Sequence, residues 1–253
     1  MTALYPVIEI ERIKKPNRWY AIPLLGFLFK FIIALPVSVE LFFLRIMVFA
    51  ASILNSCNIF FKGRYWKMAY DLNIGTLRLE VNLAFFIFGL TDEYPGFSLT
   101  TTKDYTFSLP FNKSPNRFLA TPILGFVARI ILMIPYIFYR QILFMSALLA
   151  VIAGWISVLF KRKYPDTVFE IVRDSIRVDQ ATSAYFLGMS DSYPSWWISM
   201  KHKPLKILLL ILATIFTIWR FVPSHNNNNQ IRQYQQYFYQ NSAPINITPT
   251  ITP

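Results

Sequence analysis

The side chains able to do chemistry are few, and they are poorly spaced for it. His202 and His225 are the only histidines, one beside an apolar run and one at the head of a polar tail. Neither has the nucleophile and orienting acid that a hydrolytic triad needs. The single cysteine, Cys57, lies inside an apolar run, which excludes an intrachain disulfide and a thiolate metal cluster. There is no His-Glu-x-x-His run, no Cys-x-x-Cys pair and no glycine loop shaped for phosphate. The expectation is a protein without catalytic residues, metal or cofactor. Glu170, Asp174 and Asp179 share one helical stretch, but carboxylates on an exposed helix are ordinarily solvated or paired with neighbours. Ionisable residues inside apolar runs carry more information, and here they are Lys30, Glu40, Arg45 and Arg129. In a bilayer each costs roughly 2.5–3.5 kcal/mol at mid-depth, so each should face a partner, a cavity or water. They form a candidate intramembrane polar path. The plainer reading is that Lys30 and Arg129 snorkel and that Glu40 and Arg45 flank a turn.

The elements that must position these groups are set by composition. Over 253 residues the chain is 55% hydrophobic and 17% aromatic, with only 15% charged residues. A mean hydropathy of +0.40 points the same way, to a helical integral membrane protein. The formal net charge is +12. In a soluble protein this would suggest nucleic acid, but the cations gather at the edges of apolar runs, as topology-setting and lipid-contacting charges do. Lys14, Lys15 and Arg18 precede the first run; Lys62, Arg64 and Lys67 follow it; Lys161, Arg162 and Lys163 follow the second; Lys201, Lys203 and Lys206 precede the third. The expected partners are anionic lipid headgroups and another membrane protein or a second copy of the chain, and not nucleic acid. The first fifteen residues carry charges where a signal peptide needs its apolar region.

The strongest pattern is internal. Pro16-Asn17-Arg18 recurs as Pro115-Asn116-Arg117, Gly26-Phe27 as Gly125-Phe126, Pro36 as Pro135, Tyr65 as Tyr164, Gly89 as Gly188 and Asp92 as Asp191, all at an offset of 99. An ungapped register of this length marks a tandem repeat. The expected divisions are 1–100 and 101–200 for the two membrane repeats, 201–223 for a C-terminal transmembrane helix and 224–253 for a disordered Asn/Gln-rich tail. Each unit opens with alternating residues, "PVIEIERI" and "YTFSLPF", and closes with an extended piece, "GFSLTTT" and "SWWISM"; these predict strands of a small extramembrane β-sheet. The apolar stretches 22–61 and 122–160 would each be about 60 Å as a straight helix, roughly twice the thickness of a bilayer core. A helical hairpin turning near Pro36 and Pro135 is the expected solution, giving five spans with the N-terminus cytoplasmic and the tail outside. The alternative is an in-plane helix followed by one span. Residues 66–82 and 165–181 predict amphipathic helices on the membrane surface.

Pro-Asn-Arg before an apolar hairpin, Gly-Arg-Tyr or Arg-Lys-Tyr-Pro after it, and a closing Thr-Asp-x-Tyr-Pro-x-Phe together resemble a bacterial multipass membrane family of unknown function, domain of unknown function 4389. The likeness covers both units, roughly Pro6 to Ser199. It implies a multipass protein of the bacterial cytoplasmic membrane, often with this unit in tandem, and no activity. The chain departs from the pattern at Trp66, where the second unit keeps Pro165, and at Ser195-Trp196, where the first has Gly96-Phe97. The closing motif predicts a structural clasp in which Asp92 and Asp191 meet a basic edge such as Arg18 and Arg117, with Tyr94 and Tyr193 at headgroup level. The expected function is a non-catalytic membrane scaffold or accessory protein. A small transporter or lipid-handling protein using the groove between repeats is second, and a membrane enzyme third.

Overall fold

The computed structural model describes residues 6–10, 16–22, 25–100, 105–194, 196, 203–221 and 236. The order is β1 (Val7–Ile10), a short 3-10 turn (Trp19–Ala21), α1 (Leu25–Lys62), α2 (Lys67–Ile87), β2 (Tyr105–Ser108), α3 (Leu124–Lys161), α4 (Asp166–Phe186) and α5 (Lys203–Phe221). The chain is mainly helical, with one small sheet. Equal lengths recur at the offset of 99: α1 and α3 have 38 residues each, α2 and α4 have 21 each.

The hairpins expected at Pro36 and Pro135 do not form. Each proline sits inside an unbroken helix of 38 residues, about 57 Å long. A proline in a helix interior removes one backbone donor, here the one that would serve Ile32 or Ile131, and this by itself does not reverse a chain. Reversal needs turn chemistry, and Leu35-Pro36-Val37 and Ile134-Pro135-Tyr136 offer none. Both helices are long and apolar enough to cross a membrane. A continuous α1 places Arg18 and the Lys62, Arg64, Lys67 cluster at opposite ends, so the five-span orientation loses its basis. Lys14 and Lys15 lie outside the described residues.

The amphipathic surface helices are also corrected, because α2 and α4 are interior. In α4 the run Thr167–Val172 is buried without interruption, and Asp174, Ser175 and Ile176 follow it. In α2 the buried run is Asn73–Leu77, followed by Leu79, Val81 and Asn82. α2 lies along α1, α4 lies along α3, and α2 and α4 also touch. The large apolar side chains left exposed stand mostly on α1, α3 and α5, for example Phe42, Phe43, Ile131, Phe138 and Ile215.

β1 and β2 pair antiparallel, with Ile8 opposite Phe107. Those two residues are themselves 99 apart, so the ladder is centred on one repeat column. Both are buried, and they join Tyr70, Phe85, Val151, Phe169 and Val172 in one core drawn from both halves. Of the other two expected strands, residues 96–100 form bends and no strand, and "SWWISM" lies outside the described residues apart from Trp196.

Residues 1–214 form one compact unit. Within it the start of α5 packs Leu209 on the core and buries Lys206. Residues 215–253 form a second unit, whose described part is the end of α5 and Gln236, with the rings of Phe216 and Trp219 6.1 Å apart. The apolar part of α5, Lys206–Trp219, is shorter than the roughly 20 residues of a span. The 224–253 tail, apart from Gln236, and both histidines lie outside the described residues.

Candidate functional site

The two most specific motifs of each half meet in space. α2 ends in a Schellman turn: Leu90 N–H donates to the Phe85 carbonyl at 2.9 Å and Gly89 N–H to the Phe86 carbonyl at 3.2 Å, with Gly89 at φ 77°. α4 ends identically, Met189 N–H to Ala184 at 3.0 Å and Gly188 N–H to Tyr185 at 3.1 Å. The turn throws Asp92 and Asp191 back toward the loops carrying Pro-Asn-Arg. There Asn17 Oδ1 accepts from the Trp19 N–H at 3.1 Å, and the Asn17 backbone N–H donates to Asp92 Oδ2 at 2.7 Å. Asn116 repeats this with Phe118 at 2.9 Å and Asp191 at 2.8 Å.

The cation that closes each junction comes from the long helix. Lys30 Nζ donates to the Phe86 carbonyl at 3.0 Å, the Thr91 carbonyl at 3.1 Å and Asp92 Oδ1 at 3.1 Å. Arg129 donates to the Tyr185 carbonyl at 2.6 Å, the Ser190 carbonyl at 3.0 Å and Asp191 Oδ1 at 2.6 Å. Each of these participants has its counterpart 99 residues away, and the second junction adds Asn112, whose side-chain amide donates to Asp191 Oδ2 at 2.8 Å. Lys30 and Arg129 are 2% and 4% exposed, so neither snorkels. Each cation sits at the C-terminus of α2 or α4, where the helix dipole is negative, and takes one carbonyl of the last turn and one of the loop beyond it. Aromatic faces complete the shell, with Lys30 4.9 Å from the rings of Tyr20 and Phe86 and Arg129 4.8 Å from Tyr185. An unpaired charge buried this deeply would cost several kcal/mol, and the carboxylate and carbonyls offset that.

The expected clasp therefore exists with a different cation. Asp92 and Asp191 bind Lys30 and Arg129 in place of Arg18 and Arg117. Arg18 is exposed. The guanidinium of Arg117 lies against Gly63, so close that a Cβ there would come within 2.5 Å of it. That sets it over the C-terminal end of α1 in the opposite half. Tyr94 is 42% exposed beside Phe86 and Phe97. Tyr193 packs on Tyr136 and Tyr185.

The expected polar path does not assemble. Lys30 and Arg129 close separate junctions, and Glu40 is half-buried with Oε2 lacking a hydrogen-bond partner among the described residues. Arg45 bonds Glu80 at 2.8 Å. Its partner interaction across the groove is Arg140 with Asp179. Glu80 and Asp179 share a column, whereas the cations stand one helical turn apart in their columns, which hid the equivalence. Both ion pairs line a groove of about 260 Å³ between the halves.

Two further contacts escaped sequence reasoning. Tyr65 Oη donates to the Leu187 carbonyl and Tyr164 Oη to the Phe88 carbonyl, both at 3.3 Å, a reciprocal crossing between halves. Burial pushes both phenols above their ordinary pKa. Lys206, expected to mark a membrane edge, instead donates to Glu170 Oε2 at 2.8 Å, with both side chains buried. The pair has no counterpart in the first half, where Asp71 stands in the column of Glu170. Lys62, Arg64, Lys161, Arg162 and Lys163 are exposed at the C-terminal ends of α1 and α3 and in the loops that follow, and Lys67 is exposed at the start of α2. Among the described residues, no three His, Cys, Asp or Glu gather as a metal-ligand set.

A family model described as a domain of unknown function (DUF4389) matches residues 124–198, from the start of α3 through the second closing motif. No curated protein and no solved structure matches the chain.

Proposed function

We propose that the chain is an integral membrane protein made of two tandem copies of the unit that the family model matches once, and that it acts as a non-catalytic scaffold or accessory subunit. One observation carries this reading: polarity is inverted relative to a water-soluble protein. The most polar helix, α4, is interior, with Glu170, Asp174 and Gln180 buried. The most apolar helices, α1 and α3, present Phe29, Phe43, Phe49, Ile131 and Phe144 outward. Water penalises that arrangement and hydrocarbon favours it. A bacterial cytoplasmic membrane is the compartment that the family resemblance implies.

The exposed basic ends of α1 and α3 supply the binding surface, for anionic headgroups and for an acidic membrane partner. Each Lys or Arg near an anionic surface is worth about 1 kcal/mol. Transport through the groove between halves is the weaker reading, since Arg45 and Arg140 already hold Glu80 and Asp179. The reading is tested in two steps. The protein should stay in the membrane pellet after alkaline carbonate washing; release into the supernatant would sink the membrane assignment. Purified in mild detergent with mixed phosphatidylglycerol and phosphatidylcholine, it should retain the anionic lipid preferentially. The variant K62Q/R64Q/K67Q/K161Q/R162Q/K163Q should lose that preference, and an unchanged preference would remove the basic ends as the lipid surface.

A further inference from the structure

A cavity of about 450 Å³ lies between the second half of α1 and the loop that leads into α3, within the range of small-molecule sites. Its rim is Phe49, Ile53, Ile123 and Phe126, all exposed, so it opens onto the apolar outer surface shared by α1 and α3. Gly188 and Ser56 line its interior.

Among the described residues the halves differ most in side-chain size at one column of this cavity's lining. The counterpart of Ser56 is Trp155. Its ring lies 5.8 Å from Phe27, and its Nε1 lies 3.5 Å from where a Cβ on Gly89 would stand. Phe27 and Gly89 are the counterparts of Phe126 and Gly188, which line the cavity. An indole stands against Phe27 and Gly89, and at the equivalent place a hydroxymethyl stands beside Phe126 and Gly188.

Several of the polar groups around it are already engaged. Ser56 Oγ donates to the Ser52 carbonyl at 2.9 Å, and Asn55 Oδ1 accepts the Trp66 N–H at 2.8 Å. Arg129 is committed to Asp191 and to the Leu119, Tyr185 and Ser190 carbonyls. The lining therefore offers an occupant apolar contact and little basis for choosing a headgroup.

We infer that this cavity holds one acyl chain of a membrane phospholipid, entering sideways between α1 and α3, without regard to headgroup charge. The inference rests on the membrane reading above. It is separable from the lipid surface at the basic ends, which selects by charge. The test uses full-length protein in mild detergent, loaded separately with dioleoyl-phosphatidylcholine and dioleoyl-phosphatidylglycerol, washed, and weighed by native mass spectrometry. Wild type should retain one phosphatidylcholine. S56W should retain at least tenfold less while keeping its circular dichroism spectrum, and W155S should retain a second. Wild-type retention by a folded S56W overturns the inference. If S56W does not fold, W155S decides it, and absence of a second bound lipid overturns it. Retention only of phosphatidylglycerol, abolished in the basic-end variant, reassigns the lipid to those ends. Retention of palmitate in preference to phospholipid replaces the proposed occupant with a free fatty acid. Release of the protein by carbonate would defeat the membrane reading, whatever the cavity binds.

Discussion

Lys30 and Arg129 show how a buried cation is made tolerable: each receives a carboxylate, a carbonyl of the last helical turn, a loop carbonyl and an aromatic face. Removing the acid alone should be severe, because it strands the cation. We expect Asp92→Asn to destabilise the protein by about 3 kcal/mol and K30M/D92N to recover most of that loss, since an apolar pair replaces a buried ion pair at little cost. Thermal midpoints of the single and double variants in detergent check this, and a double variant no better than the single would contradict it. The phenols set an alkaline limit. Burial pushes Tyr65 and Tyr164 upward and Tyr105 up to about 12. A phenol raised in the fold contributes fully while neutral in both states, below about pH 10, and that contribution is lost as pH climbs through the folded value. Stability should therefore be level from neutral pH to about 10 and fall above it, with a shallower fall in Y65F/Y105F/Y164F.

α1 is the element on which expectation and structure part most clearly. Length argued for a hairpin, because 38 apolar residues overrun a bilayer, yet the proline alone does not turn the chain. Phe29 and Phe43 lie on either side of Pro36 and are both exposed, so they can carry spin labels in a Cys57→Ser background. Their backbones should be about 21 Å apart along a continuous helix, against roughly 10 Å between the arms of a hairpin. A pulsed electron-resonance distance near the shorter value would restore the hairpin. The glycine at the head of each long helix is likewise positional: a Cβ on Gly26 or Gly125 would come within 2.4 Å of the Tyr20 or Leu119 carbonyl. Gly26→Ala and Gly125→Ala should therefore open the junctions that Lys30 and Arg129 close.

At the scale of the compact unit of residues 1–214, the halves are interlocked more than adjacent. β1 pairs with β2, Tyr65 and Tyr164 cross reciprocally, and one core holds Ile8, Phe85, Phe107 and Val172 together. A chain split at residues 101–104 should consequently reassemble when both pieces are co-expressed, the two co-purifying through detergent washing. The piece 1–100 alone should fail to accumulate, since its strand and core face would be left without partners. Accumulation of that piece as a monodisperse monomer would show the halves to be independent.

Residue columns were legible in the sequence because duplication preserves type and spacing. They singled out Asp92 with Asp191, Lys30 with Arg129 and the Pro-Asn-Arg loops as important before any fold was known. Composition alone pointed to long apolar helices, of which two are long and apolar enough to cross a membrane, and alternation marked β1 and β2. Which cation met which acid was decided only by tertiary structure, because Lys30 and Asp92 are 62 residues apart and a helix-end carbonyl exerts no pattern on sequence. The same holds for Lys206 and Glu170, whose pairing has no repeat column to advertise it. Hydropathy also misplaced α2 and α4. An amphipathic stripe tells that a helix has two faces, but not whether its polar face meets solvent or partners, and the Lys206 and Arg140 contacts settled that for α4. The cavity beside Ser56 needed both kinds of information: the sequence supplied the mismatch with Trp155, and only the packing of α1 on the loop before α3 turned that mismatch into space.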